Sequence, residues 1–186
     1  VVIHPFKMQY KYNKTVEFNT NVEYFKMLVP ILKQCNVGIC FENLYQGLGQ
    51  RIVEGVCADP QEAVRYIDTL NEYAGQELFG FCLDTGHLQL VKRDPVEFIH
   101  TMGNRLKALH LHENDAKGDL HQLPYSFGDD AASGQDWNAL INALKDIGFS
   151  GTLSFETYPT MNSFPMSMQE TVLKTIHDIG EYWSGL

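Results

Sequence analysis

The chain has no long apolar run, no paired-cysteine motif and no excess of basic residues. A membrane-spanning helix needs about 20 consecutive apolar residues, so we expect no membrane partner. The four cysteines form neither a CxxC pair nor a regular framework, which argues against a zinc knuckle and against a disulfide scaffold. Such cysteine usage fits a reducing compartment, and the predicted location is the cytoplasm.

Positive charge is scarce, with 14 Lys and Arg against 23 Asp and Glu and a formal net charge of −9. Nucleic-acid binding draws its affinity from clustered Lys and Arg, so no nucleic-acid partner is predicted. A Gly-rich phosphate loop between a strand and a helix is also missing, which argues against an open dinucleotide-binding sheet.

The chain also lacks an initiator Met and the basic flank and cleavage pattern of a signal peptide. Its first residues, VVIHP, already have the character of a core strand, so we expect the chain to be part of a longer polypeptide. With 186 residues, 44% of them hydrophobic, and no linker-like tract, residues 1–186 are predicted to form one domain.

Short apolar runs alternate with segments of helical pattern along the whole chain. The five runs are VVIHP (1–5), VGICFEN (37–43), FGFCLDTGH (79–87), LKALHLHEND (106–115) and GTLSFET (151–157). Helices are predicted at 20–36, 59–75, 94–105, 135–149 and 166–183. This alternation predicts an α/β fold with a parallel sheet and helices outside it.

Alternation within the runs divides each strand into two unlike faces. One face carries large apolar side chains. The other face carries small residues at the start of the strand and an ionisable residue at its C-terminal end, as in Gly38, Cys40 and Glu42. A closed parallel barrel has small inward residues and places its active site at the C-terminal rim. The pattern therefore favours a (β/α) TIM barrel.

Each of the four later runs carries an ionisable residue of the inward face where its strand is predicted to end: Glu42, Asp84, His112 and Glu156. Three buried carboxylates repel one another and are costly to desolvate, so a bound cation explains why they occur together. Ligation by several oxygens and one nitrogen favours Mn²⁺, with Mg²⁺, Co²⁺ or Zn²⁺ as alternatives.

Other polar residues lie close to these ends in the sequence. His87, three residues after Asp84, is predicted to contact a substrate oxygen or to act as a further ligand. Asp119 and His121 form a second polar pair on the loop after the fourth run, with an ordinary Asx turn as the alternative. We interpret His110 as a residue that hydrogen-bonds within the barrel.

The motifs FENL, FCLDTGH, LHLHENDAKGDLH and GTLSFET, in this order and spacing, resemble the xylose isomerase-like TIM barrel superfamily. That superfamily includes sugar phosphate isomerases and epimerases and an apurinic endonuclease branch. The resemblance extends over essentially the whole chain. It implies that Glu42, Asp84, His112 and Glu156 bind the metal and that His87 contacts the substrate.

The same resemblance bears on further residues and on the strand count. His4, Asp119 and His121 match positions that hold additional zinc ions in the endonuclease branch; here His4 and His121 are predicted to bind substrate. The five runs look like the fourth to eighth strands of an eight-stranded barrel. We therefore expect an incomplete barrel of five βα units that lacks the first three strands.

Together these features predict a metal-dependent isomerase or epimerase of a sugar or sugar phosphate. Glu42 and Glu156 are the predicted general base and acid, moving a proton next to a carbonyl through an enediolate. An apurinic endonuclease-type phosphodiesterase with several zinc ions is the alternative, disfavoured by the acidic charge and by the lack of arginine beside the DLH motif. A non-catalytic ligand-binding barrel is a further alternative, and homo-oligomerisation is compatible with the sequence.

Overall fold

The structure is a computed structural model that describes residues 1–10, 13–128 and 134–185. The strands are β1 (Val2–Ile3), β2 (Ile39–Glu42), β3 (Tyr45–Leu48), β4 (Arg51–Glu54), β5 (Phe79–Asp84), β6 (Leu106–Leu111) and β7 (Thr152–Phe155). The helices are α1 (Lys14–Cys35), α2 (Pro60–Ala74), α3 (Thr85–Val91), α4 (Pro95–Met102), α5 (Trp137–Asp146), α6 (Tyr158–Ser163) and α7 (Met166–Gly185). A 3₁₀ turn spans Gly103–Arg105.

Five strands form one parallel sheet in the order β1-β2-β5-β6-β7. Each strand pairs with the preceding strand of the sheet, so the order never reverses as it does at the switch point of an open doubly wound sheet. This is the order of strands in a TIM barrel, with five of its strands present. The predicted α/β fold and incomplete barrel of five parallel strands are confirmed.

The outward face of the sheet forms the hydrophobic core beneath the helices. Phe41 of β2 and Phe79 of β5 are fully buried and their rings lie 5.8 Å apart, while Phe25 of α1 packs on Phe41 at 4.6 Å. Tyr66 and Ile67 of α2 are also fully buried. Alternation in the strands and helical periodicity in the helices thus direct their large apolar side chains into one layer.

Capping residues set the ends of the main helices. Asp59 and Asp94 accept hydrogen bonds from the first turns of α2 and α4, and each precedes a proline at the first helical position. The sequence predicted both starts. Helix α1, however, begins at Lys14 rather than at residue 20, because the Asn13 side chain accepts a hydrogen bond from Thr15 N and caps the helix there.

The segments that follow β2 and β5 differ from those predicted. The FCLDTGH run is not strand throughout, because Asp84 ends β5 and caps α3, so His87 is helical. The antiparallel hairpin of β3 and β4 follows β2 and was not predicted; Gly49, with φ of 61°, lies in its turn. Among the described helices, none combines the length and apolarity needed to cross a membrane.

Candidate active site

The C-terminal ends of β2, β5, β6 and β7 bring the predicted ionisable residues to one edge of the sheet. Glu42 is 2% exposed, and Asp84 and His112 are fully buried. Glu156, directly after β7, is more open, with 36% of its side chain exposed. Parallel strands explain the convergence, since all their C-terminal ends lie on the same side.

Asp84 lies at the centre of a compact group with His87 and His112. Its carboxylate is 3.0 Å from His112 Nε2, and it accepts a hydrogen bond of 2.7 Å from the backbone N–H of His87. His87 Nδ1 lies 3.6 Å from the same carboxylate. Burial raises the pKa of Asp84, but the hydrogen bond and charge of His112 outweigh burial and hold that pKa below its ordinary value.

Asn43 fixes the ends of β2 and β5 to each other. Its buried side chain donates to Asp84 O at 2.9 Å and accepts from Asp84 N at 2.8 Å. Its carbonyl oxygen lies 2.8 Å from His87 Nδ1 and can only accept, so Nδ1 is protonated; on the other side of the ring, Nε2 lies 3.5 Å from Asp119 Oδ2. Burial lowers the pKa of His87, but Asp119, Asp84 and the Asn43 carbonyl together raise it to about 9.

His112 is held from two sides. Thr85 Oγ1 donates to His112 O at 2.9 Å and lies 3.2 Å from His112 N. A side chain at Gly86 would overlap the His112 ring, so the glycine allows α3 to approach β6 closely. The glycine of the DTGH motif therefore has a packing role at the site.

His110, interpreted from the sequence as a residue that hydrogen-bonds within the barrel, lies among the site residues. Its Nδ1 lies 3.3 Å from Glu42 Oε2 and 3.2 Å from Glu156 Oε1. Burial lowers the pKa of His110, but hydrogen bonding to Glu42 and the charges of Glu42 and Glu156 raise it overall. Two-residue spacing from His112 put it on the inward face and was the signal that could have identified it.

The predicted pair Asp119 and His121 also reaches the site, on the loop after β6. Asp119 Oδ2 lies 3.4 Å from His121 Nε2, and the His121 ring stacks on His112 with centroids 4.0 Å apart. The buried Asn114 side chain accepts hydrogen bonds from Leu120 N and His121 N, which folds this loop back. Burial raises the pKa of Asp119, but His87 and then His121 hold it well below its usual range.

His4 and Tyr45 also reach the rim. His4, after β1, has an exposed side chain whose Nε2 lies 3.2 Å from Glu42 Oε2. Tyr45 of β3, which was not predicted, places its hydroxyl 3.4 Å from Asp119 Oδ2 and its ring edge-on to His87. All predicted site residues are thus gathered at one rim.

Three groups in this rim are compact enough to hold a cation: Asp84, His87 and His112; Glu42, Asp84 and His110; and His112, His121 and Glu156. The predicted ligands Glu42, Asp84, His112 and Glu156 are spread over all three, and in the part of the chain that the structure describes no single group contains all four. That ligand set stays a prediction.

Fold and rim together define a barrel protein with a carboxylate and imidazole site at its C-terminal edge. The chain belongs to the xylose isomerase-like TIM barrel family, whose profile matches residues 1–175. The resemblance inferred from the motifs is therefore confirmed.

Known proteins similar to this chain agree with that assignment. The chain is 19% identical to IolI protein with a bound zinc atom, with a TM-score of 0.70, over 98% of this chain and 63% of that one. It is 18% identical to D-psicose 3-epimerase with D-tagatose from Clostridium cellulolyticum H10, with a TM-score of 0.66, over 97% and 63%. At these identities the likeness establishes the fold.

Another relative is the uncharacterized protein y4fM of Sinorhizobium fredii (strain NBRC 101917 / NGR234). It is 31% identical over 81 residues, which are 44% of this chain and 24% of that protein. The chain thus spans less than two thirds of the length of each of these three proteins.

Proposed function

We propose that the natural protein is a divalent-metal-dependent isomerase or epimerase of a sugar or sugar phosphate. The observation that supports this most is the pair of carboxylates Glu42 and Glu156, which come from opposite parts of the sheet and approach one imidazole within 3.3 Å. Two carboxylates facing a common space are what removal and return of a proton require.

The residues present fit a divalent cation. Asp84 and Glu42 are buried carboxylates, and Nδ1 of His112 is buried with no hydrogen-bond partner among the described residues. Buried charges and orphaned nitrogen atoms are costly unless a further group satisfies them. We propose Glu42, Asp84, His112 and Glu156 as ligands, with Mn²⁺ preferred over Mg²⁺, Co²⁺ or Zn²⁺.

When bound, such a metal polarises a carbonyl and the neighbouring hydroxyl. The remaining chemistry belongs to side chains of this chain. One of Glu42 and Glu156 takes the proton from the carbon next to the carbonyl, giving an enediolate, and the other returns a proton. Return to the same carbon from the opposite face inverts it, and return to the neighbouring carbon moves the carbonyl.

Substrate binding is assigned to His87, His4 and His121. The Asn43 carbonyl accepts from His87 Nδ1, and His87 Nε2, on the other side of the ring, lies 3.5 Å from Asp119 Oδ2. His4 and His121 lie at the rim, where their side chains are 63% and 25% exposed and can reach substrate hydroxyls. These imidazoles orient the sugar so that its reacting carbon lies between the glutamates.

The proposal includes closure of the barrel and the setting of the reaction. β1 and β7 are the outer strands of the sheet, and closing a barrel needs further strands, which we propose come from another part of the natural polypeptide. The partner is a small sugar or sugar phosphate. Cys35, Cys40, Cys57 and Cys82 are free thiols, which is compatible with the proposed cytoplasmic location.

Glutamate-to-glutamine variants test the proposal in the natural protein. Glu156→Gln and Glu42→Gln keep the side-chain shape but cannot carry the proton, so turnover of a responsive ketose should fall by about 100-fold or more. Glu170→Gln, an exposed change on α7, is the matched control and should leave turnover unchanged. Near-normal turnover in both site variants would rule the mechanism out.

One observation favours a second candidate, an abasic-site phosphodiesterase with several zinc ions. Asp119 lies within 4.0 Å of His87, His112 and His121, so the rim offers more ligands than one ion requires. The net charge of −9 disfavours a DNA substrate. Incision of an abasic duplex by the zinc-loaded protein, without sugar exchange, would make this candidate the better one.

A further inference from the structure

His110 contacts both glutamates of the proposed proton transfer. Its Nδ1 is 3.3 Å from Glu42 Oε2 and 3.2 Å from Glu156 Oε1, so one ring atom lies between two side chains separated by 114 positions in the sequence. Two carboxylates that approach the same atom repel each other unless a donor or a cation lies between them. The contact therefore bears directly on how both are oriented.

The fold fixes where this ring can lie. His110 is in β6, in register with Asp84 of β5 on one side and with Ser154 of β7 on the other. Its carbonyl oxygen lies 3.3 Å from Thr85 Oγ1, and only 13% of its side chain is exposed. Both Glu42 and Glu156 lie at the ends of their strands, where the backbone restrains them less.

We propose that His110 is a positioning residue whose Nδ1–H is shared by Glu42 and Glu156 and sets the distance and orientation of the two carboxylates. This inference rests on the proposed function. A donor held between two carboxylates lowers their repulsion and leaves their remaining oxygen atoms free for a cation and for the substrate. Hydrogen bonds to ligating groups of this kind commonly govern metal affinity.

Two amide substitutions at His110 test whether the donor has to be at the position of Nδ1 or whether any polar side chain is sufficient. In His110→Asn the side-chain nitrogen can occupy the place of Nδ1, whereas in His110→Gln it falls nearer the place of Nε2. His110→Leu removes the donor at similar size. His100→Asn, at an exposed histidine paired with Asp146, is the matched control.

The probe is Co²⁺, titrated calorimetrically into the natural protein and followed by its visible absorption spectrum, with kcat and KM measured beside it. His110→Leu and His110→Gln should weaken Co²⁺ binding by about 10- to 100-fold and change the spectrum. His110→Asn and His100→Asn should keep both close to those of the unaltered protein. The loss should appear in kcat more than in KM, since the glutamates are misplaced for the reaction rather than for binding.

The outcomes separate this inference from the function on which it rests. If the unaltered protein binds no Co²⁺ and exchanges no sugar proton, the proposed function fails and the inference with it. If the unaltered protein binds and reacts while His110→Leu is unaffected, the inference alone fails. It also fails if folded His110→Asn is as impaired as His110→Leu, because a positioned donor would then not be enough.

Discussion

Replacing Gly86 with alanine should disturb the site with a single methyl group. Gly86 is the second residue of α3, where alanine is otherwise favoured over glycine. The added Cβ would overlap the His112 ring and come within 2.7 Å of Asn114 Nδ2. Either His112 or the whole of α3 has to move.

The surroundings of His112 set the size of the effect. Its ring is fully buried, stacks on His121 at 4.0 Å and lies 3.0 Å from Asp84, so it has little room to retreat. Overpacking of this kind costs about 1–3 kcal/mol, and alanine in a helix returns up to about 1 kcal/mol. We expect a net loss of about 1–2 kcal/mol in the free energy of unfolding.

Urea denaturation and Co²⁺ titration measure the two consequences. Gly86→Ala should lower the urea midpoint and, because His112 is displaced, weaken Co²⁺ binding by at least about 10-fold. Gly185→Ala is the control, since a Cβ there meets nothing within 4 Å. A Gly86→Ala protein as stable and as tight for Co²⁺ as the unaltered one would refute the packing of α3 against His112.

Two further predictions follow from other contacts, and a third follows from the net charge. Asn43→Ala leaves the backbone N–H and C=O of Asp84 unpaired, so it should lower the free energy of unfolding by about 2–4 kcal/mol and weaken Co²⁺ binding. Asn71→Ala is the control, because it removes equivalent hydrogen bonds to Leu78 and Phe79 at the other end of β5. It should cost as much stability and leave Co²⁺ binding intact. The Asp84→Asn side chain can still cap α3, so the variant should fold normally by circular dichroism. Its Co²⁺ affinity should fall by more than about 100-fold, which exceeds the loss usual for a residue that only hydrogen-bonds a metal ligand. An abasic DNA duplex should show no tight binding in a filter or anisotropy assay, and tight binding that weakens steeply with salt would contradict the argument from net charge.

The sequence was a good guide to the sheet and to the five predicted helices, and a poor one to the short elements that follow the strand ends. Period-two alternation placed Phe41, Phe79 and Leu109 on the outward face, where all are buried. The hairpin of β3 and β4 was not predicted, because its residues are half-buried or exposed and its sequence shows no clear alternation of apolar and polar residues. Helix α3 was not predicted, because its N-cap, Asp84, is also the last residue of β5 and the apolar run before it has the pattern of a continuous strand.

Strand ends could be predicted as site positions, but contacts among them could not. Glu42, Asp84, His112 and Glu156 follow from the rule that parallel strands end at one rim. The approach of His110 to Glu42 and Glu156 depends on register across β5, β6 and β7, which no local pattern specifies. The placement of His121 depends likewise on the side chain of Asn114, a tertiary contact within the loop.

The most direct test of the account is solvent exchange in D₂O, followed by proton NMR, with the natural protein and Mn²⁺. Ketoses such as D-fructose, D-tagatose and D-allulose, and their phosphates, are the substrates to test. We predict that deuterium enters at the carbon next to the carbonyl, only with metal, and not in Glu42→Gln or Glu156→Gln. No exchange in any of these sugars with Mn²⁺ bound at the rim, or exchange that persists in both variants, would contradict the proposal of a metal-dependent proton-transfer enzyme.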